Sequence, residues 1–466
     1  MQCPYFNKGC GGCSGLELPY EATLRKKEEA LHRLFPDVLP ILPAEKPLHY
    51  RNKSLRTFSG GKGKLTSGIY RAGTHQVVPV RECMLESRRS CQILTAVTDL
   101  LRDMGLNAYN EDTGKGILRH MQLRRAPATG EVLLTVITGS DVFPGGKEFA
   151  QAIMKRYPEI KGVIHNINNR ESSAVLGFKD QLLAGRDEIR DIMCGMTAVL
   201  TSRAFYQVNT PQAEKLYRLA VEYAAPRGNE TILDAYCGVG LIGMLAARSG
   251  GNVTGIELVK PSIECAKKAA RLNELDNIRF ICGDALKALK DPEQRFDTVL
   301  ADPPRAGFSE AFTKALITHA PKKIVYVSCN PETLARDLKV LTENGYSASP
   351  VQPVDLFPYT EHVETVVLLS KGEIDSKRIR VEFPLDNMNI AAFREKATYP
   401  QIKNYVLENT GLKVSSLYIS QIKRKCGLDV SDSYNKPKSE DSRVPQCPPE
   451  KEKAIIDALK HFGMIS

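Results

Sequence analysis

Between residues 229 and 370, short apolar runs alternate with longer amphipathic ones. Extended runs fall at Thr231–Ala235, Asn252–Glu257, Ile278–Cys282, Thr298–Ala301, Lys323–Ser328 and 364–369, with helical spacing between them. That rhythm predicts a doubly wound, mainly parallel α/β sheet. Upstream, 86–195 reads as mixed α/β, with strands at 133–138 and 162–167 around a helix over 147–157. Asn209-Thr210-Pro211 supplies a cap residue and then proline in a first turn, so a helix should run from there to about Ala224. Residues 48–83 alternate short extended runs with glycine turns (Gly60-Gly61-Lys62-Gly63-Lys64 and Gly68-Ile69-Tyr70-Arg71), a small basic β-rich insert. Residues 20–34 pattern as an amphipathic helix through Leu24, Ala30, Leu31 and Leu34. After Ser370 the texture changes. Residues 374–380 are charged, 431–449 are polar with prolines, and 403–409, 417–425 and 450–462 pattern as helices. Four segments result: 1–85, 86–200, 201–370 and a helical module at 385–466.

At 466 residues, and at roughly 150 per domain, about three domains are expected. Hydrophobic residues at 42% and charged residues at 25% exclude a wholly disordered or collagen-like chain. No run of 18 apolar residues suggests a membrane span, and Met1-Gln2-Cys3-Pro4 does not open a secretory signal, so no membrane partner and a cytoplasmic location are expected. The formal charge of +10 suits a polyanion such as nucleic acid, although many proteins without such a partner are as basic.

Leu233-Asp234-Ala235-Tyr236-Cys237-Gly238-Val239-Gly240 reads as strand, glycine turn and helix start, a backbone able to pass close to a ligand. Glu257 ends the next extended run, 17 residues past Gly240, where a carboxylate can grip a ribose diol. Asp284 and Asp302-Pro303-Pro304 follow at successive strand ends. This order fits an S-adenosylmethionine site better than a dinucleotide site. A dehydrogenase would want Gly-x-Gly-x-x-Gly, and although position 243 is glycine the helix start is otherwise wrong for a pyrophosphate.

Ser328-Cys329-Asn330-Pro331 puts a cysteine where a strand meets a turn, a place for a nucleophilic thiolate or for a plain packing cysteine. Residues 357–364 bring Glu361, His362 and Glu364 near the start of the last strand. Cys3, Cys10 and Cys13 cluster at the start, with Cys83 next along and Cys91 a competitor for a fourth place. Such thiols select zinc or iron–sulfur, and spacing alone does not choose between them. Cys194, Cys237, Cys265 and Cys282 read as packing residues.

Together, Cys3-x6-Cys10-Gly-Gly-Cys13, Phe205-Tyr206-Gln207-Val208-Asn209, Asp234-Ala-Tyr236-Cys237-Gly238-x-Gly240, Asp302-Pro-Pro-Arg305-x-Gly307, Ser328-Cys329-Asn330-Pro331 and His362-Val363-Glu364 resemble the bacterial RNA (uracil-C5)-methyltransferases over about residues 1–370. The resemblance implies a Rossmann-like methyltransferase domain behind an N-terminal iron–sulfur segment. It implies Cys329 as nucleophile and Glu364 as general base. Gln207, Tyr236, Glu257 and Asp302 would contact S-adenosylmethionine, and Asp284 would border the adenine. Cys3, Cys10, Cys13 and Cys83 would hold a four-iron four-sulfur cluster. The substrate expected is structured RNA, 23S ribosomal RNA first and the transfer RNA T-loop as alternative, acted on by a monomer.

Cytosine-C5 methylation shares the thiolate logic but uses other cysteine contexts. A non-catalytic RNA-binding or folding factor would have no need of both Cys329 and Glu364. Arg305 stands where amino-group methyltransferases carry a stacking aromatic, which disfavours exocyclic-nitrogen chemistry. Many relatives carry a β-barrel RNA-binding domain ahead of the cysteines. With Cys3 so near the start, that domain is expected to be absent and RNA contacts to lie elsewhere. Candidates are Arg51, Lys53, Arg56, Lys62, Lys64 and Arg71 with Tyr50 and Tyr70, or Lys423-Arg424-Lys425 in the last module. The bland alternatives are a solvated basic face and a stability domain.

Overall fold

A computed structural model describes residues 3–61, 63–111, 113–170, 174–228, 230–371, 399–426, 447–461 and 464. Lys62, the charged stretch 374–380, residues 385–398 and most of the 431–449 linker lie outside the described residues. The chain divides into two compact units, Met1–Ile379 and Arg380–Ser466.

The first unit opens with helix α1 (Tyr20–His32) and continues through β1 (Lys53–Ser59), β2 (Thr66–Tyr70), β3 (Val77–Pro79), α2 (Arg88–Asp103), β4 (Leu118–Arg125), β5 (Val132–Thr138), α3 (Gly146–Arg156), β6 (Ile160–Ile167) and β7 (Lys179–Gly185). These seven strands pair in the order β3-β2-β1-β4-β5-β6-β7. The β-rich segment and the mixed α/β segment, separated at residue 85 on sequence, thus share one sheet. The join is the antiparallel β1–β4 ladder, Lys53 opposite Arg124 through Thr57 opposite His120. Its core packs α2 and α3 on one face through Ile93, Val97, Leu101, Phe149 and Ile153, against Met121, Leu123, Leu134 and Val136. The hairpin β8 (Glu188–Met193) and β9 (Met196–Thr201) leads into the next layer.

That layer contains α4 (Thr210–Ala224), β10 (Thr231–Ala235), α5 (Leu241–Arg248), β11 (Asn252–Glu257), α6 (Lys260–Leu272), β12 (Ile278–Cys282), α7 (Ala285–Lys290), β13 (Thr298–Ala301), α8 (Glu310–His319), β14 (Lys323–Ser328), α9 (Pro331–Glu343), β15 (Tyr346–Ala348), β16 (Gln352–Val354) and β17 (Glu364–Lys371). Strand order is β12-β11-β10-β13-β14-β17-β15, with β16 also on β17. The first five strands are parallel, as the alternation predicts, and β17 runs antiparallel to β14. That reversal has a consequence for the site. The carboxyl ends of parallel strands form the ligand-binding edge of such a sheet. Because β17 is reversed, its first residue reaches the same edge: Ser328 at the end of β14 lies opposite Thr365.

Among the described residues of the second unit there are three helices: α10 (Tyr399–Thr410), α11 (Ser416–Lys425) and α12 (Pro449–His461). Ile402, Val406, Ile419, Ile422, Ile455 and Leu459 form its own apolar core.

Candidate active site

Tyr236, Glu257, Asp284 and Asp302 each sit at the carboxyl end of a parallel strand or in the loop beside it, and Gln207 lies apart, in the segment between β9 and α4. Tyr236 follows β10 with φ 62°, a left-handed conformation rare for a tyrosine. The loop then turns into α5. Gly243, on that helix, donates its N–H to Asp234 at 2.9 Å, and a Cβ there would stand 2.5 Å from the same carboxylate. Gly238 faces the other way: a Cβ at this position would meet no protein atom within 4 Å, and its φ is +54°. The backbone at Gly238 is open enough for another molecule to approach it closely. Glu257 closes one side, accepting N–H bonds from Gly238 at 3.2 Å and Val259 at 2.9 Å. Asp284 caps α7 by accepting from the Leu286 N–H and is exposed. Gln207 is buried just ahead of α4. At that helix start Asn209 makes no cap bond with its side chain. Instead it donates to the Leu356 carbonyl, which ties α4 to the loop before β17.

Cys329 is half-buried, one residue past β14, and Glu364 is buried across the ladder from it. The Thr365 hydroxyl donates to the Ser328 carbonyl at 3.1 Å and pins this juncture. Glu364 Oε2 is buried without a hydrogen-bond partner among the described residues. Burial first, and the charge of Asp302 second, push the Glu364 carboxyl well above the ordinary glutamate range, while Arg305 pulls it down. Burial raises Asp302 to about 7. The Cys329 thiol is raised to about 11, by burial and then by Glu364 and Asp302, against the opposing pull of Arg305. The Arg305 carbonyl accepts from Asn330 Nδ2 at 3.1 Å and from the Thr333 hydroxyl at 3.2 Å, so the residues after Cys329 hold the Asp302–Arg305 loop in place. The result is a thiol, two carboxyls and a guanidinium that feel one another's charge beside the ends of β13 and β14.

A family model described as tRNA (Uracil-5-)-methyltransferase matches residues 166–372. An uncharacterized RNA methyltransferase of Bacillus cereus is 39% identical over 383 residues, 80% of this chain and 83% of its own length. One of Listeria innocua is 37% identical over 378 residues, 79% of this chain and 83% of its own length. The chain belongs to the RNA (uracil-5-)-methyltransferase family. Among solved structures, a Pyrococcus abyssi tRNA (uracil-54, C5)-methyltransferase in complex with S-adenosyl-L-homocysteine matches with TM-score 0.66 and 29% identity, covering 77% of this chain and 84% of that one. The Rossmann-like methyltransferase fold and S-adenosylmethionine as methyl donor go with that membership.

Several expectations change in the structure of this family member. The four N-terminal cysteines are a mixed result. No group of three or more His, Cys, Asp or Glu side chains among the described residues is arranged to hold a metal ion, so the expected metal set of Cys3, Cys10, Cys13 and Cys83 is not drawn together around a point. The thiols do feel one another. Cys13 is pushed up to about 12, by burial first and then by Cys83, Cys10 and Cys3 in that order. Cys3 is buried and Cys10, Cys13 and Cys83 are half-buried, and thiols of this kind are soft donors. Thiols that each bind a separate corner of a cluster stand farther apart than thiols converging on one ion. Cys91 is a neighbour of this group: its sulfur accepts the Cys83 N–H at 3.4 Å and lies 3.5 Å from Glu86.

Arg56 is not available to RNA. It is buried and bonded to Glu86 and the Val80 carbonyl. Tyr50 donates to the Pro358 carbonyl, and Lys423 is buried, whereas Lys64 and Arg71 are exposed. Cys282, read as a packing residue, is exposed at the end of edge strand β12. Two groups near the site escaped the sequence reading. Tyr217 of α4 is buried, and its hydroxyl is pushed well above the ordinary tyrosine range by burial first and then by the charges of Asp302 and Glu364. The Lys27–Asp355 pair, 2.5 Å apart and buried, with Tyr20 donating to the same carboxylate at 2.6 Å, holds α1 against the loop before Glu364. Tyr217 is legible only as one apolar position of an amphipathic helix, and Lys27 and Asp355 are 328 residues apart.

Proposed function

We propose that this enzyme methylates C5 of uracil in structured RNA through a transient bond between Cys329 Sγ and C6 of the base. The placement of Glu364 across the β14–β17 ladder from Cys329 carries the reading. Gln207, Tyr236, Glu257, Asp284 and Asp302 would hold S-adenosylmethionine beside the open backbone at Gly238. Bound there, it supplies an electrophilic methyl group. The residues of this chain do the rest. Uracil C5 is too weak a nucleophile to take a methyl group unaided. Addition of the Cys329 thiolate to C6 turns C5 into an enolate carbon, which would take the methyl group as the donor's S–CH3 bond breaks and its sulfur keeps the electron pair. The Arg305 cation favours the thiolate over the thiol and also balances the enolate charge. The orphan oxygen of Glu364 then removes the C5 proton, the Sγ–C6 bond breaks, the C5–C6 double bond returns and 5-methyluridine is released. The base has to be swung out of its stack to reach these groups.

The four N-terminal thiols, by the same proposal, hold a four-iron four-sulfur cluster that orders the segment 3–15. That segment donates from Ser14 and Gly15 N–H to the Tyr359 carbonyl, in the loop leading to Glu364. For the substrate we propose 23S ribosomal RNA. A transfer RNA reading stands beside it, supported by the transfer RNA specificity in the description of the matching family and of the Pyrococcus abyssi enzyme. Incubation with labelled methyl donor and unmodified ribosomal or transfer RNA, followed by mapping of the labelled nucleotide, tests both levels. Label on uridine C5 supports the chemistry, and the RNA that carries it decides the substrate. Label on cytidine or on a nitrogen contradicts the proposal.

A further inference from the structure

The helical unit lies beyond the stretch matched by the family model, which ends at residue 372. Among its described residues the charge is unevenly placed. Residues 399–426 carry five basic side chains and one acidic, while 447–461 carry three of each. The basic half is a helix, a turn and a second helix. Gly411, with φ +70°, ends α10, and five residues later α11 begins, with the Ser415 hydroxyl accepting the Tyr418 N–H as its cap. Helix α12 packs against both and completes the core through Ile455 and Leu459. Lys423, the first residue of the basic run, is buried. The exposed charges are therefore Lys413 in the turn and Arg424 and Lys425 at the far end of α11, and Lys425 is paired with Glu452. Ser416, Ser420 and Arg424 recur every fourth residue, one face of the helix, about 12 Å from first to last.

We propose that this turn and helix face is a docking site for the phosphate backbone of structured RNA, with Lys413 and Arg424 as its charged contacts and the exposed Ser416 as a hydroxyl partner. The proposal rests on RNA being the substrate class of the chain. Charge complementarity selects the occupant: two exposed cations, one in the turn and one at the end of α11, on a helix-turn-helix packed against the charge-balanced helix α12. Paired RNA has a major groove too narrow for a helix, so the contacts run to phosphates and 2′-hydroxyls. Recognition of that kind follows shape rather than sequence, and it tethers substrate without touching the chemistry.

The test is binding by the full chain, read by fluorescence anisotropy on a labelled, unmodified RNA hairpin and on a DNA hairpin of the same sequence, across a salt series. For the double variant Lys413→Glu and Arg424→Glu the RNA Kd should rise about tenfold, and the slope of log K against log salt should fall by about 2. Lys413→Arg with Arg424→Lys should keep both near wild type, which separates lost charge from lost folding. Unchanged RNA affinity and slope in the charge-reversed variant would overturn the proposal, as would a loss confined to the DNA hairpin. Methyl transfer is not the readout. Failure of the catalytic reading shows instead as an absence of labelled uridine, whatever the hairpin result.

Discussion

The Arg305 guanidinium lies 3.2 Å from Nδ1 of His362, joining the loop after β13 to the loop that leads into Glu364. Arg305 is also the cation that opposes the upward push on both Cys329 and Glu364. Removing it should leave the thiol more protonated. Arg305→Gln is expected to slow alkylation of Cys329 by iodoacetamide at pH 8 about fivefold, with Arg305→Lys in between. In the wild-type protein without substrate the rate should climb with pH until near the thiol pKa of about 11. Faster alkylation in Arg305→Gln, or a plateau by pH 8, would contradict the electrostatics.

The Lys27–Asp355 pair sits within the fold, with side chains 4% and 0% exposed. A buried pair is costly to break because one charge is left unmatched. Lys27→Met should destabilise the protein by about 3–5 kcal/mol, read in denaturant unfolding, and Lys27→Met with Asp355→Leu should recover much of that loss. A single substitution no more harmful than the double one would show that the ion pair is not what holds α1 to this loop.

Asp234 is buried and its carboxyl is raised to about 8 by desolvation, with the Gly243 N–H pulling the other way. The folded chain therefore holds a proton that the unfolded chain releases near pH 4, so this group's contribution to stability falls as pH rises from about 4 to 8. Asp234→Asn keeps an oxygen for the Gly243 N–H and removes the titration. Its melting temperature should fall less steeply over that interval and exceed wild type by roughly 2–4 °C at pH 8. Parallel pH profiles for the two proteins would count against a raised carboxyl.

The cysteine proposal has a visible consequence. Protein purified without oxygen should be brown, with about four iron and four sulfide per chain. Cys10→Ser, Cys13→Ser and Cys83→Ser should each bleach it, whereas Cys282→Ser should not. Zinc in place of iron, or colour that survives loss of Cys13, would remove the cluster from the account.

The parallel strands were readable because each is a compact apolar run bounded by turns, and five of their spans coincide with those expected. The long helices at 147–157 and 210–224 were readable from spacing and from the proline at Pro211. Reversal of β17 was not, since an antiparallel strand has the same residue pattern as its parallel neighbours. The shared sheet of the first unit was equally hidden. Its joining ladder pairs Lys53 with Arg124, and nothing in either run names the other. The site shows the same division. Cys329, Glu257 and Asp302 stand at predicted strand ends. Arg56, by contrast, reads as one basic residue among several, and only the fold reveals Glu86 beside it.

The most direct test of the central claim is to incubate Glu364→Gln with methyl donor and unmodified RNA, denature the mixture, and locate any protein–RNA bond by peptide mass spectrometry. With the base removed, release is blocked, and a methylated uridine should accumulate on Cys329. The same bond should be missing from Cys329→Ala, which should transfer no methyl group. Methylation at the wild-type rate by Cys329→Ala, or a bond to a different residue, would contradict the account.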